Sequence, residues 1–165
     1  MKKTELMSAA PYYCVIESPI GRLGFNLSQD RLIKLSFEEN TIELKRPEKP
    51  LEKMIASQLQ CYFLDAKFKF NMTYKLYGTT FQREVWHLLC EIPVGMVRTY
   101  KDLANVLKTS PRAIGQACKS NPLPLIVPCH RVIGQKNLGG FAGDKSGRLI
   151  SIKKWLLAHE KLVMG

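Results

Sequence analysis

No apolar run in these 165 residues is long enough to span a membrane, and no signal-peptide segment opens the chain. The five cysteines, Cys14, Cys61, Cys90, Cys118 and Cys129, are odd in number and widely spaced, which argues against a disulfide framework and for a reducing, cytoplasmic setting. Nor does any Cys/His cluster have zinc spacing, and His87, His130 and His159 lie far apart. Neither a metal nor a cofactor is therefore expected. Acidic residues are scarce: 14 Asp and Glu face 25 Lys and Arg, a net charge of +11 and a pI near 9.6, which points to a polyanionic partner such as nucleic acid. The imbalance is uneven. Residues 1–78 carry 12 basic against 9 acidic side chains and residues 79–165 carry 13 against 5. The hydrophobic share of 45% is ordinary for a globular chain of one core or two small lobes, and no disorder class applies.

The chemistry concentrates in residues 121–134. Pro122, Pro124 and Pro128 fix φ and push the residue before each toward extended geometry, so the approach to Cys129 is stiff and non-helical. A sulfur followed by the imidazole of His130 and the guanidinium of Arg131, running into an apolar β-type segment, reads as a held nucleophile with proton-handling groups nearby. A Cys-His pair by itself says little, because neighbours on an extended chain point to opposite sides.

The remaining elements follow from pattern. After ten residues of frayed terminus, Tyr12–Ile16, Leu23–Leu27 and Leu32–Phe37, separated by tight turns, predict an antiparallel meander. Residues 38–50 suit a loop. Over 51–64, Leu51, Met54, Ile55, Leu59, Tyr62 and Phe63 fall near one helical face, which predicts a helix covering the sheet. Cys61 reads as a core or half-buried thiol. Lys67-Phe68-Lys69-Phe70 reads as a half-buried strand with exposed lysines, ahead of a basic-aromatic nucleic-acid surface. This lobe shows no nucleophile with an obvious base and reads as structural.

A second lobe begins near Gly78. Thr79 or Thr80 caps a helix through Cys90 with Phe81, Val85, Leu88 and Leu89 as its apolar stripe, Trp86 beside it and His87 on the surface. Residues 99–107 and 111–120, joined by Lys108-Thr109-Ser110 and with Pro111 opening the second helix, have the outline of a helix-turn-helix, although an ordinary helical hairpin fits as well. Ala113, Gly115 and Ala117 give the second helix a thin surface suited to close approach to nucleic acid, with Arg112 at its start and Lys119 at its end. The loop Gln135–Gly143, rich in glycine, lets backbone approach a ligand, and Phe141 can stack on a planar ring. A closing amphipathic helix over 149–160 turns Leu149, Ile152, Leu156 and Trp155 inward, keeps its lysines outside and ends at Glu160.

Together, Ile126-Val127-Pro128-Cys129-His130-Arg131-Val132-Ile133, Phe81-Gln82, Gly95–Tyr100, Arg112, Asn121-Pro122, Gly139–Gly143 and Trp155–Glu160 resemble the O6-alkylguanine-DNA alkyltransferases, also called methylated-DNA–protein-cysteine methyltransferases. The resemblance runs from about Thr80 to the end; residues 1–78 match only in pattern, a small sheet with a helix like the family's ribonuclease-H-like lobe. It implies an α+β fold, with a structural lobe over 1–78 and a mainly helical lobe over 79–165 that contains the helix-turn-helix. It also implies a monomer that acts on double-stranded DNA through the minor groove, flips an O6-alkylguanine (and by extension an O4-alkylthymine) from the stack, and moves the alkyl group irreversibly to its own cysteine.

The resemblance assigns the residues as follows. Cys129 is the acceptor, His130 the base acting through a water, Glu160 the carboxylate that orients it, and Asn121 the brace of the active-site turn. Tyr100 crowds the 3′ phosphate and later gives a proton to the leaving base. Arg112 fills the gap left by the flipped base, while Ala113, Gly115, Gln116, Ala117 and Lys119 approach the groove. Val132, Ile133, Phe141, Ala142 and Gly143 form the base pocket.

The resemblance is imperfect. The stretch between Leu103 and Arg112 is about two residues shorter than the family pattern, and 143–148 is longer. Phe141 and Ala142 stand where Tyr and often Ser are usual, leaving the Ala142 backbone N–H to meet guanine O6. Ligands for the zinc site of some eukaryotic members are missing. Two other readings stay open on the residues: a helix-turn-helix module that only recognises damaged DNA, and a cysteine hydrolase built on Cys129, His130 and Glu160 or Asn121.

Overall fold

The computed structural model describes residues 14–142 and 147–164; the frayed terminus, Tyr12-Tyr13, Gly143 and 144–146 of the longer loop lie outside them. The first lobe is an antiparallel meander of β1 (Cys14–Ile16), β2 (Arg22–Ser28) and β3 (Arg31–Glu38) in sequential order. Gln29 and Asp30 take φ of 50° and 59° at the β2–β3 turn. Left-handed geometry at both central residues matches the right-handed twist of the flanking strands. A bulge at Asn26/Leu27 shifts the register, so that Leu27 opposes Leu32 while Asn26 opposes Lys34. Phe25 and Leu35, which pair across β2 and β3, are both buried.

Helix α1 (Pro50–Leu64) starts at a proline, with the Glu52 carboxylate accepting from the backbone N–H groups of Glu48 and Lys49 at 3.1 and 3.0 Å. Ile55, Leu59, Tyr62 and Phe63 face inward as expected, but Met54 is 38% exposed. One hundred degrees per residue carries position 54 away from the 55/59/62 row. Residues 67–70 form a turn and an extended segment instead of a strand: the phenylalanines are half-buried, the lysines exposed, and Phe70 packs on Tyr62 at 5.6 Å.

Helix α2 (Thr80–Cys90) is capped by Thr79, whose hydroxyl accepts from Gln82 N–H at 3.1 Å while the Gln82 side chain returns to Thr79 N–H. His87 is exposed. Trp86 lies in the core, not beside the stripe; it is 1% exposed and its indole donates to Ala117 C=O at 2.8 Å. Strand β4 (Arg98–Thr99) leads into α3 (Tyr100–Leu107), capped by Thr99, and Lys108 ends that helix in left-handed geometry. Helix α4 (Pro111–Lys119) follows with Ser110 as N-cap, so helix, three-residue turn and helix stand as expected. A short parallel pair joins β4 to β5 (Val132–Ile133). Helix α5 (Arg148–Met164) closes the fold and runs one turn past the expected end at Glu160.

Both lobes share one core, from Cys14, Leu23 and Phe25 through Trp86 and Ile114 to Leu156. Backbone joins them as well, with Leu35 N–H donating to Pro122 C=O at 2.9 Å. Among the described residues no helix is long and apolar enough to cross a membrane.

Candidate active site

Asn121 ties the proline-rich approach into a loop. Its Nδ2 donates to Val127 C=O at 2.8 Å, its Oδ1 accepts from Leu123 N–H at 3.0 Å, and Val127 N–H donates to Leu123 C=O at 2.8 Å. Leu125 at the tip has φ of 75°, a left-handed geometry that a branched residue keeps only where its surroundings hold it, here in a buried site. The chain then turns through a 3₁₀ helix over Cys129–Arg131 instead of staying extended. Three residues per turn fan the three side chains about 120° apart, so the thiol can face the cavity while the imidazole and guanidinium that follow it reach one carboxylate.

His130 and Arg131 converge on Glu160 of α5. His130 Nε2 lies 2.6 Å from Glu160 Oε2, and Arg131 Nε donates to Oε1 at 2.6 Å with Nη2 at 3.3 Å from Oε2. Arg131 Nη1 also donates to Ile92 C=O at 2.6 Å, and the Tyr62 hydroxyl of α1 donates to Oε2 at 3.0 Å. Burial would raise the Glu160 pKa, but the hydrogen bonds from His130 and Arg131 and the positive charge of Arg131 outweigh it and hold the carboxyl well below the usual carboxylate range. Burial pushes His130 below the usual histidine value, against the pull of Glu160. A neutral imidazole facing a carboxylate must carry its proton on Nε2, which leaves Nδ1 as the acceptor. That atom is buried without a hydrogen-bond partner among the described residues.

Lys153 of α5 contradicts the expectation of outward lysines. It is fully buried, and its ammonium donates to the carbonyls of Val132, Leu138 and Gly140 at 2.6, 2.8 and 2.9 Å. Burial lowers its pKa to about 8, with charge from Cys129 and Cys118 opposing, while three acceptors for three protons favour the ammonium form. The sequence did hold a signal: position 153 falls one turn after Leu149, beside Ile152 and one turn before Leu156, in the middle of the inward face. Lys154 is exposed.

Cys129 is 5% exposed and lines a cavity of about 610 Å³ with Tyr100, Arg112, Gly115, Gln116, Cys118, Lys119, Gly140, Phe141 and Ala142. Burial raises its thiol pKa, opposed by a hydrogen bond with Asn121 and the positive charge of Lys153. Cys118, whose place the sequence left open, is buried beside the cavity, and burial together with the Cys129 charge pushes its thiol up. Burial likewise pushes the Tyr100 phenol well above its usual value, so the hydroxyl stays a proton donor; it lies 3.4 Å from Gly140 C=O. Gly139 has φ of 75°, and a Cβ there would stand 2.7 Å from the Tyr100 ring. Glycine is required on both counts.

Four of the residues expected at the groove or the base pocket do not line the cavity. Ala117 is 2% exposed and turned into the core, and Ala113 is half-buried away from the cavity. Positions 113, 115 and 117 are two apart and cannot share a helical face; the cavity face includes Arg112, Gly115, Gln116 and Lys119, at the offsets of three, four and seven residues that a helix demands. Nor do Val132 and Ile133 line the cavity: Val132 is fully buried behind it with its carbonyl on Lys153. Phe141 lines the wall but is 3% exposed, its ring packed on Phe37 at 5.4 Å, so one face is already engaged. Gly143 lies outside the described residues. Tyr62 and Lys153 are polar members of the site that sequence reasoning did not assign, and Arg131, read there as a proton-handling neighbour of Cys129, is bonded to Glu160.

The fold and site define a class of proteins that offer a buried cysteine sulfur to a ligand beside a cationic helix-turn-helix. Residues 80–162 match the family model described as 6-O-methylguanine DNA methyltransferase, DNA binding domain. The methylated-DNA–protein-cysteine methyltransferase of Archaeoglobus fulgidus is 47% identical over 108 residues, covering 64% of this chain and 72% of that protein. The constitutive one of Bacillus subtilis is 36% identical over 162 residues, covering 92% and 96%. Among solved structures, Mycobacterium tuberculosis OGT in complex with DNA superposes with a TM-score of 0.76 at 36% identity over 92% of this chain and 93% of that one. The chain belongs to the methylated-DNA–protein-cysteine methyltransferase family.

Proposed function

We propose that this protein repairs alkylated DNA directly, moving the alkyl group of an O6-alkylguanine in duplex DNA to Cys129, once per molecule, in the cytoplasm. The observation that carries this reading is a cysteine lining a cavity together with Arg112, Gln116 and Lys119, exposed residues of the second helix of a helix-turn-helix. Arg112, Gln116 and Lys119 would meet the phosphate backbone and the gap left by the extruded nucleotide, and Gly115, with nothing within 4 Å of where a Cβ would be, lets the duplex come close.

In the transfer, Cys129 Sγ attacks the alkyl carbon on O6, the new C–S bond forms as the C–O bond breaks, and the electron pair returns to the purine. The thiol proton passes to His130 Nδ1 through a water, while Glu160 holds the Nε2–H and stabilises the imidazolium that results. Tyr100, kept protonated by burial, supplies a proton to the departing base, and the proton taken up by His130 returns through solvent to the phenolate, restoring both side chains. Lys153 places positive charge near the thiolate and ties β5 to the Gly-rich loop. The product is a thioether without a leaving group, so the acceptor is spent.

The test is intact mass after incubation with duplex O6-methylguanine. One methyl group should appear per molecule, on Cys129, and a second portion of DNA should add none. Cys129→Ala should stay unmodified while still binding the duplex. Repeated turnover, or an equal adduct in Cys129→Ala, would overturn the reading.

A further inference from the structure

The first lobe reaches the active site at Phe37, packed on Phe141, and at Tyr62, which joins α1 to the catalytic carboxylate. Tyr62 lies in the last turn of α1, where helical carbonyls have no intrahelical donor. Its carbonyl accepts from His159 Nε2 at 2.8 Å, and its hydroxyl donates to Glu160 Oε2 at 3.0 Å. One residue therefore grips two consecutive side chains of α5 from 97 and 98 residues away. The grip is rigid: the Tyr62 ring meets His159 edge-on at 5.3 Å, and His159 is stacked on Trp155 at 4.8 Å.

We propose, building on the alkyl-transfer reading, that Tyr62 is a positioning residue of the reaction, through which the first lobe sets the orientation and basicity of the Glu160–His130 pair. Three donors share Glu160 Oε2, His130 Nε2 at 2.6 Å, the Tyr62 hydroxyl at 3.0 Å and Arg131 Nη2 at 3.3 Å. The hydroxyl draws negative charge from that oxygen and so limits how strongly the carboxylate favours imidazolium over imidazole. The charged and titratable groups around the pair are Arg131 on the 3₁₀ turn, which binds both carboxylate oxygens, and Lys153 on α5, which disfavours a positive His130. Both remain in place when the hydroxyl is removed. The Tyr62 phenol itself is held well above its usual pKa by burial and by Glu160, so it donates throughout the working range.

Tyr62→Phe keeps the ring and deletes the bond. With the hydroxyl gone, Glu160 is more basic and His130 protonates more readily. The base is then lost at a higher pH, and the rate deficit grows as pH falls. Single-turnover methyl transfer should be about fivefold slower near pH 5.5 and within about twofold of the unaltered chain near pH 8, still ending at one methyl per Cys129. The imidazole NMR titration of His130, read without DNA, should shift upward in the same variant. In the unaltered chain, the Tyr62 hydroxyl proton resonance should move with the His130 titration. A uniform slowing at all pH values, an unmoved His130 titration, or a Tyr62 resonance indifferent to it would each reduce Tyr62 to a packing residue and overturn the proposal. Should the unaltered chain transfer no methyl group, the alkyl-transfer reading falls, while the two NMR measurements still decide whether Tyr62 tunes His130.

Discussion

The cations around Cys129 form two groups that a charge count treats alike. On α4, Arg112 and Lys119 stand exposed on the cavity rim. On the other side, Lys153 and Arg131 are turned inward and matched to acceptors, Lys153 to three carbonyls and Arg131 to Glu160 and Ile92 C=O. The first group offers charge to a partner; the second spends its charge on holding the pocket together. Only about half of the cations near the thiol are therefore available to DNA, and the net charge of +11 overstates the binding face. The difference predicts opposite behaviour when either group is neutralised: loss of fold without salt dependence for the buried group, loss of binding with salt dependence for the exposed one.

The largest effect belongs to Lys153→Met. It fills similar volume but removes the donor to the buried carbonyl of Val132 and the part-buried carbonyls of Leu138 and Gly140, the last keeping Tyr100 at 3.4 Å. At about 1–3 kcal/mol for an unmet buried group and less for the part-buried ones, the loss is on the order of 3 kcal/mol. Transfer should drop by about a hundredfold or more as β5 and the Gly-rich loop lose their common anchor. Lys153→Arg should rescue little, because a planar fork does not address three acceptors gathered around one point. Denaturant unfolding and single-turnover rates at low and moderate salt measure both. An unfolding midpoint that stays put, or a defect that shrinks with salt, would erase the distinction between the two groups.

Much of this arrangement was legible before the structure. Proline spacing marks the stiff approach to Cys129, and Thr79, Thr99 and Pro111 mark helix starts. What failed did so for identifiable reasons. Long cationic side chains usually go to solvent, whereas the burial of Lys153 depends on three carbonyls gathered from strand β5 and the Gly-rich loop. Ala117 was put on the DNA side by composition, where the 3.6-residue period puts it in the core with its carbonyl on Trp86. The 3₁₀ turn at Cys129 has no local sequence signature, and the contact from Tyr62 to Glu160 spans 98 residues that no local pattern can bridge.

The middle effect is Arg112→Ala. Arg112 is exposed at the start of α4, so unfolding should move by no more than about 0.5 kcal/mol. Its loss removes the side chain that would occupy the gap left by an extruded base. Transfer from duplex DNA should slow by about 10–100-fold, whereas transfer from the free base O6-methylguanine, which needs no extrusion, should change by less than about threefold. An equal loss on both substrates would place Arg112 with the buried group, as a support of the pocket.

The smallest effect is Lys119→Ala, and it is the sharpest test of the rim. Lys119 ends α4 on the face shared with Arg112 and Gln116, and it is exposed. If its ammonium meets one phosphate, neutralising it leaves one counterion fewer to release, so the slope of log affinity against log salt should flatten by about 0.9. The variant should bind a few-fold more weakly at low salt and approach the unaltered chain as salt rises, with unchanged transfer once DNA is saturating. A parallel displacement of the salt curve would mean that Lys119 acts through a contact other than phosphate neutralisation, and no displacement would take it off the interface, leaving Arg112 as the cation of α4 that touches DNA.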